Sequence, residues 1–218
     1  EDSAFRKTFE KMGFFQVNQI EKEKIEENYE KIKKRYKEIN LQLWKDLEKG
    51  KMDKDKLKVL RFEKTIEEFG LEYDSIEVSE LYLKKLGEGV FPFEATEKLC
   101  EYLHSKYKVG VITNGIKEVQ HSRIKNSAIA KYIDKLVISE EVGVNKPDKR
   151  IFECAIEYFG ISDKKSAIMI GDSLEADIKG GQNAGIDTCW VNFKNIINNT
   201  GIIPKYEVKK LEELFEIL

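Results

Sequence analysis

Residues 167–185 read AIMIGDSLEADIKGGQNAG. An apolar run ends at Gly171-Asp172, a second aspartate follows at Asp177, and an amphipathic segment closes on Gly185. The spacing predicts a buried strand, a tight turn and a helix spanning 174–184. Two carboxylates then stand at the tip of the strand and in the first turn of the helix. Oxygen anions clustered in that way suit a hard cation such as Mg²⁺, which takes a few carboxylates together with waters and phosphate oxygens. Taken by itself, the segment also admits Asp172 as a plain turn or N-cap residue.

Two further segments bear on that choice. Residues 108–115, KVGVITNG, form another short apolar run, ending in Thr113-Asn114-Gly115. Thr113 offers a hydroxyl at a strand tip, and Asn114 and Gly115 tolerate the backbone angles of a tight turn. The free N–H groups of such a turn, and of the helix after it, make an anion cradle. Residues 142–148, VGVNKPD, carry Lys146 on a loop that Pro147 stiffens and holds out of the helical region. A cation on a fixed loop can neutralise a phosphoryl group. Alone, Thr113 is equally a turn residue, and Lys146 one surface lysine among many.

From about residue 90 the pattern alternates. Helices are expected at 94–106, 117–127, 149–159, 174–184 and from Lys209, and strands at 108–113, 135–139, 166–171, 187–192 and 206–208. Such alternation implies right-handed crossovers and a doubly wound parallel sheet covered on both faces, an α/β fold. Ligands on such sheets bind at the carboxyl ends of the strands. Thr113, Asp172 and the loop bearing Lys146 all fall there.

In this order, each at a strand-to-loop junction, the three segments resemble motifs II, III and IV of the haloacid dehalogenase superfamily, most of whose members are Mg²⁺-dependent phosphatases. The resemblance covers nearly the whole chain, with 1–88 as a helical cap and 89–218 as the Rossmann-like core. It implies that Thr113, with Asn114 and neighbouring N–H groups, binds the phosphoryl oxygens. Lys146 offsets the growing negative charge, Asp172 is the metal carboxylate, and Asp177 either completes the metal shell or orients Lys146. The layout of cap, Thr-Asn-Gly, Asn-Lys-Pro and Gly-Asp-Ser-Leu-Glu-Ala-Asp is similar to that of the pyrimidine nucleoside monophosphate 5′-nucleotidases. That likeness implies a small-molecule phosphate ester such as UMP or dTMP as substrate. A sugar-phosphate phosphatase or mutase, a dehalogenase, or an inactive binding module remain the alternatives.

One motif of the superfamily is not found: an apolar strand followed by Asp-x-Asp, whose first aspartate is the nucleophile. The only Asp-x-Asp is Asp53-Lys54-Asp55, with lysines around it and no apolar strand before it. Asp53 reads better as a helix N-cap. The expectation is a further strand and loop upstream of Glu1. In the family's sheet that strand lies between those carrying Thr113 and Asp172. Without it, a slot about one strand wide would remain, since neighbouring strands sit ~4.8 Å apart. Each buried unpaired main-chain group there would cost on the order of 1–3 kcal/mol.

Composition narrows the class. Of 218 residues, 38 are basic and 40 acidic, for a net charge of −2, which argues against a dominant nucleic-acid-binding face. No apolar run is long enough to span a membrane. The three cysteines, Cys100, Cys154 and Cys189, show no close pairing and leave one over in any disulfide scheme, as expected of a reduced, cytoplasmic protein. With only His104 and His121, no histidine-rich zinc site is available.

The first 88 residues are helical in pattern. Expected helices run over 3–12, closed by Gly13, then from a capping box at Asn18 and Glu21 through a stripe of Ile25, Tyr29, Ile32 and Tyr36. Leu41, Leu43, Trp44 and Leu47 continue the apolar material, and two more helices cover 53–69 and 75–86. The lysine and glutamate between them read as the solvated face of an antiparallel bundle. Gly87-Glu88-Gly89 is the expected hinge. Arg61, beside Phe62, is a candidate substrate contact, with a surface cation as the competing reading.

Overall fold

The computed structural model describes residues 1–16, 22–48, 50–89 and 95–218. The expected capping box at Asn18 and Glu21 lies outside them. The chain divides into two compact units, Glu1–Val90 and Phe91–Leu218.

The first unit is helical: α1 (Asp2–Lys11), α2 (Lys22–Glu48), α3 (Lys54–Phe69) and α4 (Ser75–Glu88). Side chains three and four apart share a helix face, so the stripe on α2 brings Tyr29, Ile32 and Tyr36 onto Phe5, Phe9, Phe62 and Tyr82 in one buried cluster. A second cluster gathers Ile39, Leu43, Leu47 and Leu57. Leu41, off that face, is 57% exposed. Asp53 caps α3 by accepting the Lys56 N–H at 2.8 Å, the role its sequence context predicts. Gly70 ends α3 in the left-handed region at φ 59°, which glycine enters without penalty. The expected hinge is partly displaced: α4 runs on through Gly87 and Glu88, and only Gly89 leaves the helix.

The second unit is α/β. After α5 (Thr96–Lys106) come β1 (Gly110–Thr113), α6 (Lys117–Lys125), β2 (Lys135–Ile138), α7 (Ser139–Val142) and α8 (Lys149–Tyr158). Then follow β3 (Ile168–Gly171), α9 (Lys179–Ala184), β4 (Asp187–Val191), β5 (Tyr206–Val208) and α10 (Leu214–Ile217). All pairings are parallel, as βαβ crossovers require. The strands form two sheets: β1 with β2, in register Gly110 to Lys135 through Thr113 to Ile138, and β3–β4–β5. Among the described residues, β1 and β3 each keep one unpaired edge. A cavity of about 630 Å³ opens between them, lined by Val111 and Ile112 on one side and Ile168, Met169 and Ile170 on the other. The cavity thus lies between the strands that end at Thr113 and Gly171.

One segment departs from the expected helix 174–184. Leu174–Ile178 is a π-helical turn, and regular α-helix begins only at Lys179. The Ser173 carbonyl accepts both the Asp177 N–H at 2.8 Å and the Ile178 N–H at 3.1 Å. No helix of the described residues is long and apolar enough to cross a membrane.

Packing of the helical unit sets a direct expectation. Phe62 is 0% exposed and stacks on Tyr36 with ring centroids 5.1 Å apart. Phe62→Ala is expected to destabilise the unit by about 3–5 kcal/mol in urea unfolding. Leu41→Ala, on the exposed side of the same bundle, is expected to stay within about 0.5 kcal/mol.

Candidate active site

The carboxyl ends of β1 and β3 meet at Lys146. Its Nζ donates to the Ile112 carbonyl at 2.8 Å and to Asp177 Oδ1 at 2.6 Å. The other Asp177 oxygen, Oδ2, accepts the Ser173 N–H at 3.0 Å. A continuous chain of contacts therefore runs from Ile112 at the tip of β1, through Lys146 and Asp177, to the residue after Asp172. The Lys146 and Asp177 side chains are only 11% and 6% exposed. Removing two charges from water carries a cost of several kcal/mol per ion unless the geometry is good and the remaining polar atoms are bonded. Here both carboxylate oxygens and two of the three ammonium donors are.

The loop holding Lys146 is fixed from β1. Asn114 Oδ1 accepts the Lys146 N–H at 2.8 Å, and Asn114 Nδ2 donates to the Lys146 carbonyl at 3.1 Å. The Asn114 side chain is thus spent on main chain rather than offered to a ligand. Thr113 Oγ1 accepts the Gly115 N–H at 2.9 Å, which closes the turn and leaves the hydroxyl proton free to donate. The Lys146-Pro147 peptide is cis. Asp148 then caps α8, accepting the Arg150 N–H at 2.9 Å.

Three features on the β3 side orient the carboxylates. At Gly171, a Cβ would stand 2.3 Å from Asp177 Oδ2, so only glycine leaves room for the carboxylate. The π turn sets Asp177 into the interior at 4% exposure, and π turns recur at functional sites. Ser173 Oγ caps it by accepting the Ala176 N–H at 3.1 Å. Trp190 Nε1 donates to the Asp172 carbonyl at 3.0 Å, which fixes the main chain while the Asp172 side chain remains exposed.

The structure therefore brings Thr113, Asn114, Lys146, Asp172 and Asp177 into one corner of the α/β unit. Arg61 lies in the helical unit at 2% exposure, neither a surface cation nor open to solvent. Sequence reading missed the Asn114 clip, the Ser173 cap and the demand on Gly171. Of these, the capping by Ser173 has a signal, a serine followed by an acidic first turn. The other two depend on contacts between segments distant in sequence.

Residues 3–191 match the family of haloacid dehalogenase-like hydrolases. The chain belongs to that family. Within the superfamily it is 37% identical over 187 residues to the HAD-hydrolase YfnB of Bacillus subtilis, covering 86% of this chain and 80% of that protein. A crystal structure of YfnB bound to magnesium superposes with a TM-score of 0.86 at 34% identity, covering 100% of this chain and 90% of that one. Two pyrimidine 5′-nucleotidases are also similar. YjjG of Escherichia coli is 37% identical over 84% of this chain and 80% of its own length. PynA of Streptococcus pneumoniae is 34% identical over 93% of this chain and 86% of its own. The α/β unit with its helical cap is thus the family's fold.

The buried pair gives two expectations for this hydrolase. Asp177→Ala strands the Lys146 ammonium and is expected to cost about 3–5 kcal/mol in chemical denaturation. Adding Lys146→Met should recover a large part of that loss, and a coupling near zero in the double-mutant cycle would show the two do not act as a pair. Separately, Arg150 beside Asp148 holds that carboxyl at about 2, below its ordinary value. A depressed carboxyl contributes stability that is present above its unfolded pKa, ~3.9, and lost as pH falls toward the folded value. Acid unfolding of Asp148→Asn, which keeps the cap but not the charge, should accordingly lack a small stabilisation seen in the wild type at neutral pH.

Proposed function

We infer that this chain is a Mg²⁺-dependent phosphomonoester hydrolase that works through an aspartyl-phosphate, with pyrimidine nucleoside 5′-monophosphates as substrates. The observation that carries the reading is the ammonium of Lys146 locked by Asp177, whose other oxygen accepts the N–H of Ser173, the residue after the exposed Asp172 at the carboxyl end of β3. The names of the two similar nucleotidases support the substrate class.

The donor set fits Mg²⁺. Among the described residues no three Asp, Glu, His or Cys side chains converge to cage a metal unaided. Mg²⁺ needs no such cage, because it binds through one or two carboxylates and completes its shell with waters and substrate phosphate. Asp172 is the open carboxylate. Asp177 is engaged on both oxygens, which suits it to orienting Lys146 and Ser173. Mg²⁺, when bound, draws charge from the phosphoryl oxygens.

Lys146 keeps its third N–H for the phosphoryl group, and Thr113 keeps its hydroxyl proton for the same purpose. Both donors are held before substrate arrives, which is how an electrostatic site lowers a barrier without reorganising. An aspartyl-phosphate route needs an attacking carboxylate at these same strand ends of β1 and β3. In that route a carboxylate oxygen bonds to phosphorus as the P–O bond to the nucleoside 5′-oxygen breaks, the departing oxygen taking its proton from water, and a second water then hydrolyses the acyl phosphate to free carboxylate and inorganic phosphate. The free cysteines fit a reducing, cytoplasmic location.

The test is turnover by the full-length protein of UMP, dTMP and glucose 6-phosphate, with Mg²⁺ and with EDTA. Mg²⁺-dependent release of phosphate from the pyrimidine nucleotides is expected. Asp172→Ala and Lys146→Met should each lose at least about 10²-fold in kcat. Wild-type turnover by Asp172→Ala would overturn the assignment.

A further inference from the structure

Asn114 is followed by Gly115, the one Asn-Gly step in the chain. Such a step carries a reaction of its own. The main-chain nitrogen of the glycine stands one ring closure away from the carboxamide carbon of the asparagine. Glycine has no Cβ to hinder that approach or to restrict the backbone angles it needs. Asparagine is for this reason among the chemically labile residues, and most so before glycine.

Here each reacting group is engaged elsewhere. The Gly115 N–H donates to Thr113 Oγ1 at 2.9 Å. Asn114 Oδ1 accepts the Lys146 N–H at 2.8 Å, and Nδ2 donates to the Lys146 carbonyl at 3.1 Å. The carboxamide therefore faces a residue 32 positions away rather than its own neighbour. The Gln120 side chain packs over Gly115, where a Cβ would stand 2.3 Å from its Nε2. Ring closure requires the three hydrogen bonds to give way together. Loops open by local fluctuation more readily than a whole domain unfolds, so the rate of the reaction reads how firmly this corner is closed.

We propose that Asn114 is a site of spontaneous covalent modification, held latent by Thr113 and by the main chain of Lys146. When the corner opens, the Gly115 nitrogen gives up its proton to solvent base and bonds to Asn114 Cγ. The Cγ–Nδ2 bond breaks, and ammonia leaves with a proton from water. A further water opens the imide ring. Cleavage of the new bond leaves aspartate, and cleavage of the original main-chain bond leaves isoaspartate. Nothing is oxidised or reduced. Either product ends the Nδ2 donation to the Lys146 carbonyl and sets a carboxylate against that oxygen, an unfavourable pairing of two acceptors. Isoaspartate also lengthens the main chain beside Thr113.

The test is storage of the full chain in mildly alkaline buffer, with and without urea. Mass spectrometry of the tryptic peptide Val109–Lys117 follows the exchange of amide for acid, and an isoaspartyl methyltransferase scores the isoaspartate. Conversion is expected to be at least about tenfold slower without urea. Thr113→Val removes the acceptor while keeping the branched shape, and should quicken native conversion about threefold or more with the rate in urea little changed. Phe152→Ala, at a buried position of the same unit, lowers stability without touching these bonds and serves as the control. Asn114→Asp, the product itself, should melt below the wild type. Equal conversion with and without urea would overturn the protection, and no conversion even in urea would overturn the site; neither outcome needs a variant to fold. Thr113→Val and Phe152→Ala chains of equal melting temperature that convert Asn114 at equal rates would show that global unfolding, not these bonds, sets the rate, and would overturn the role given to Thr113. An Asn114→Asp that melts with the wild type would overturn the effect claimed for the product.

Discussion

A lysine and an aspartate buried against one another, 2.6 Å apart, are the constraint around which the α/β unit is arranged. Charges so placed persist only where their remaining polar atoms are satisfied, and the neighbouring sequence meets that demand. Ile112 lends a carbonyl, Ser173 an N–H, and Asn114 clips the lysine's own main chain with two hydrogen bonds. Gly171 has no side chain because the carboxylate occupies the space a Cβ would take. The π turn after Ser173 follows from the same need, since it sets Asp177 inward while leaving Asp172 outside.

The pair also sets two nearby aspartates in different surroundings. Asp177 is enclosed and doubly bonded, so its charge is matched within the protein. Asp172 is exposed, with its main chain pinned by Trp190. An enclosed carboxylate holds a neighbour in place, whereas an open one is available to a hard cation. Position relative to the strand end, rather than residue type, separates the two environments.

Much of this was legible before any coordinates. The strand at 168–171 and its Gly-Asp exit follow from an apolar run ended by turn residues, and the cap at Asp53 from its position before an apolar helix. Periodicity also finds the face of α2 that carries Tyr29, Ile32 and Tyr36. What escaped reading has a common cause. The π turn at 174–178 hides within a pattern that also fits an α-helix, because five residues are too few to separate the two periods. Gly87 reads as a hinge because glycine is a poor helix former, yet α4 continues through it, buried against its neighbours. Asn114 reads as a turn residue, and its hold on Lys146 depends on a residue 32 positions away. Arg61 reads as a substrate contact or a surface cation, and only tertiary packing puts it inside.

The gap between the two sheets bears on how this polypeptide behaves in company. Main-chain donors and acceptors along β1 and β3 face an apolar cleft. Open strand edges are templates on which another chain can add, the route by which β-structured proteins coalesce. Colloidal behaviour therefore turns on that cleft, whose two strand borders are the places where one molecule could adhere to another.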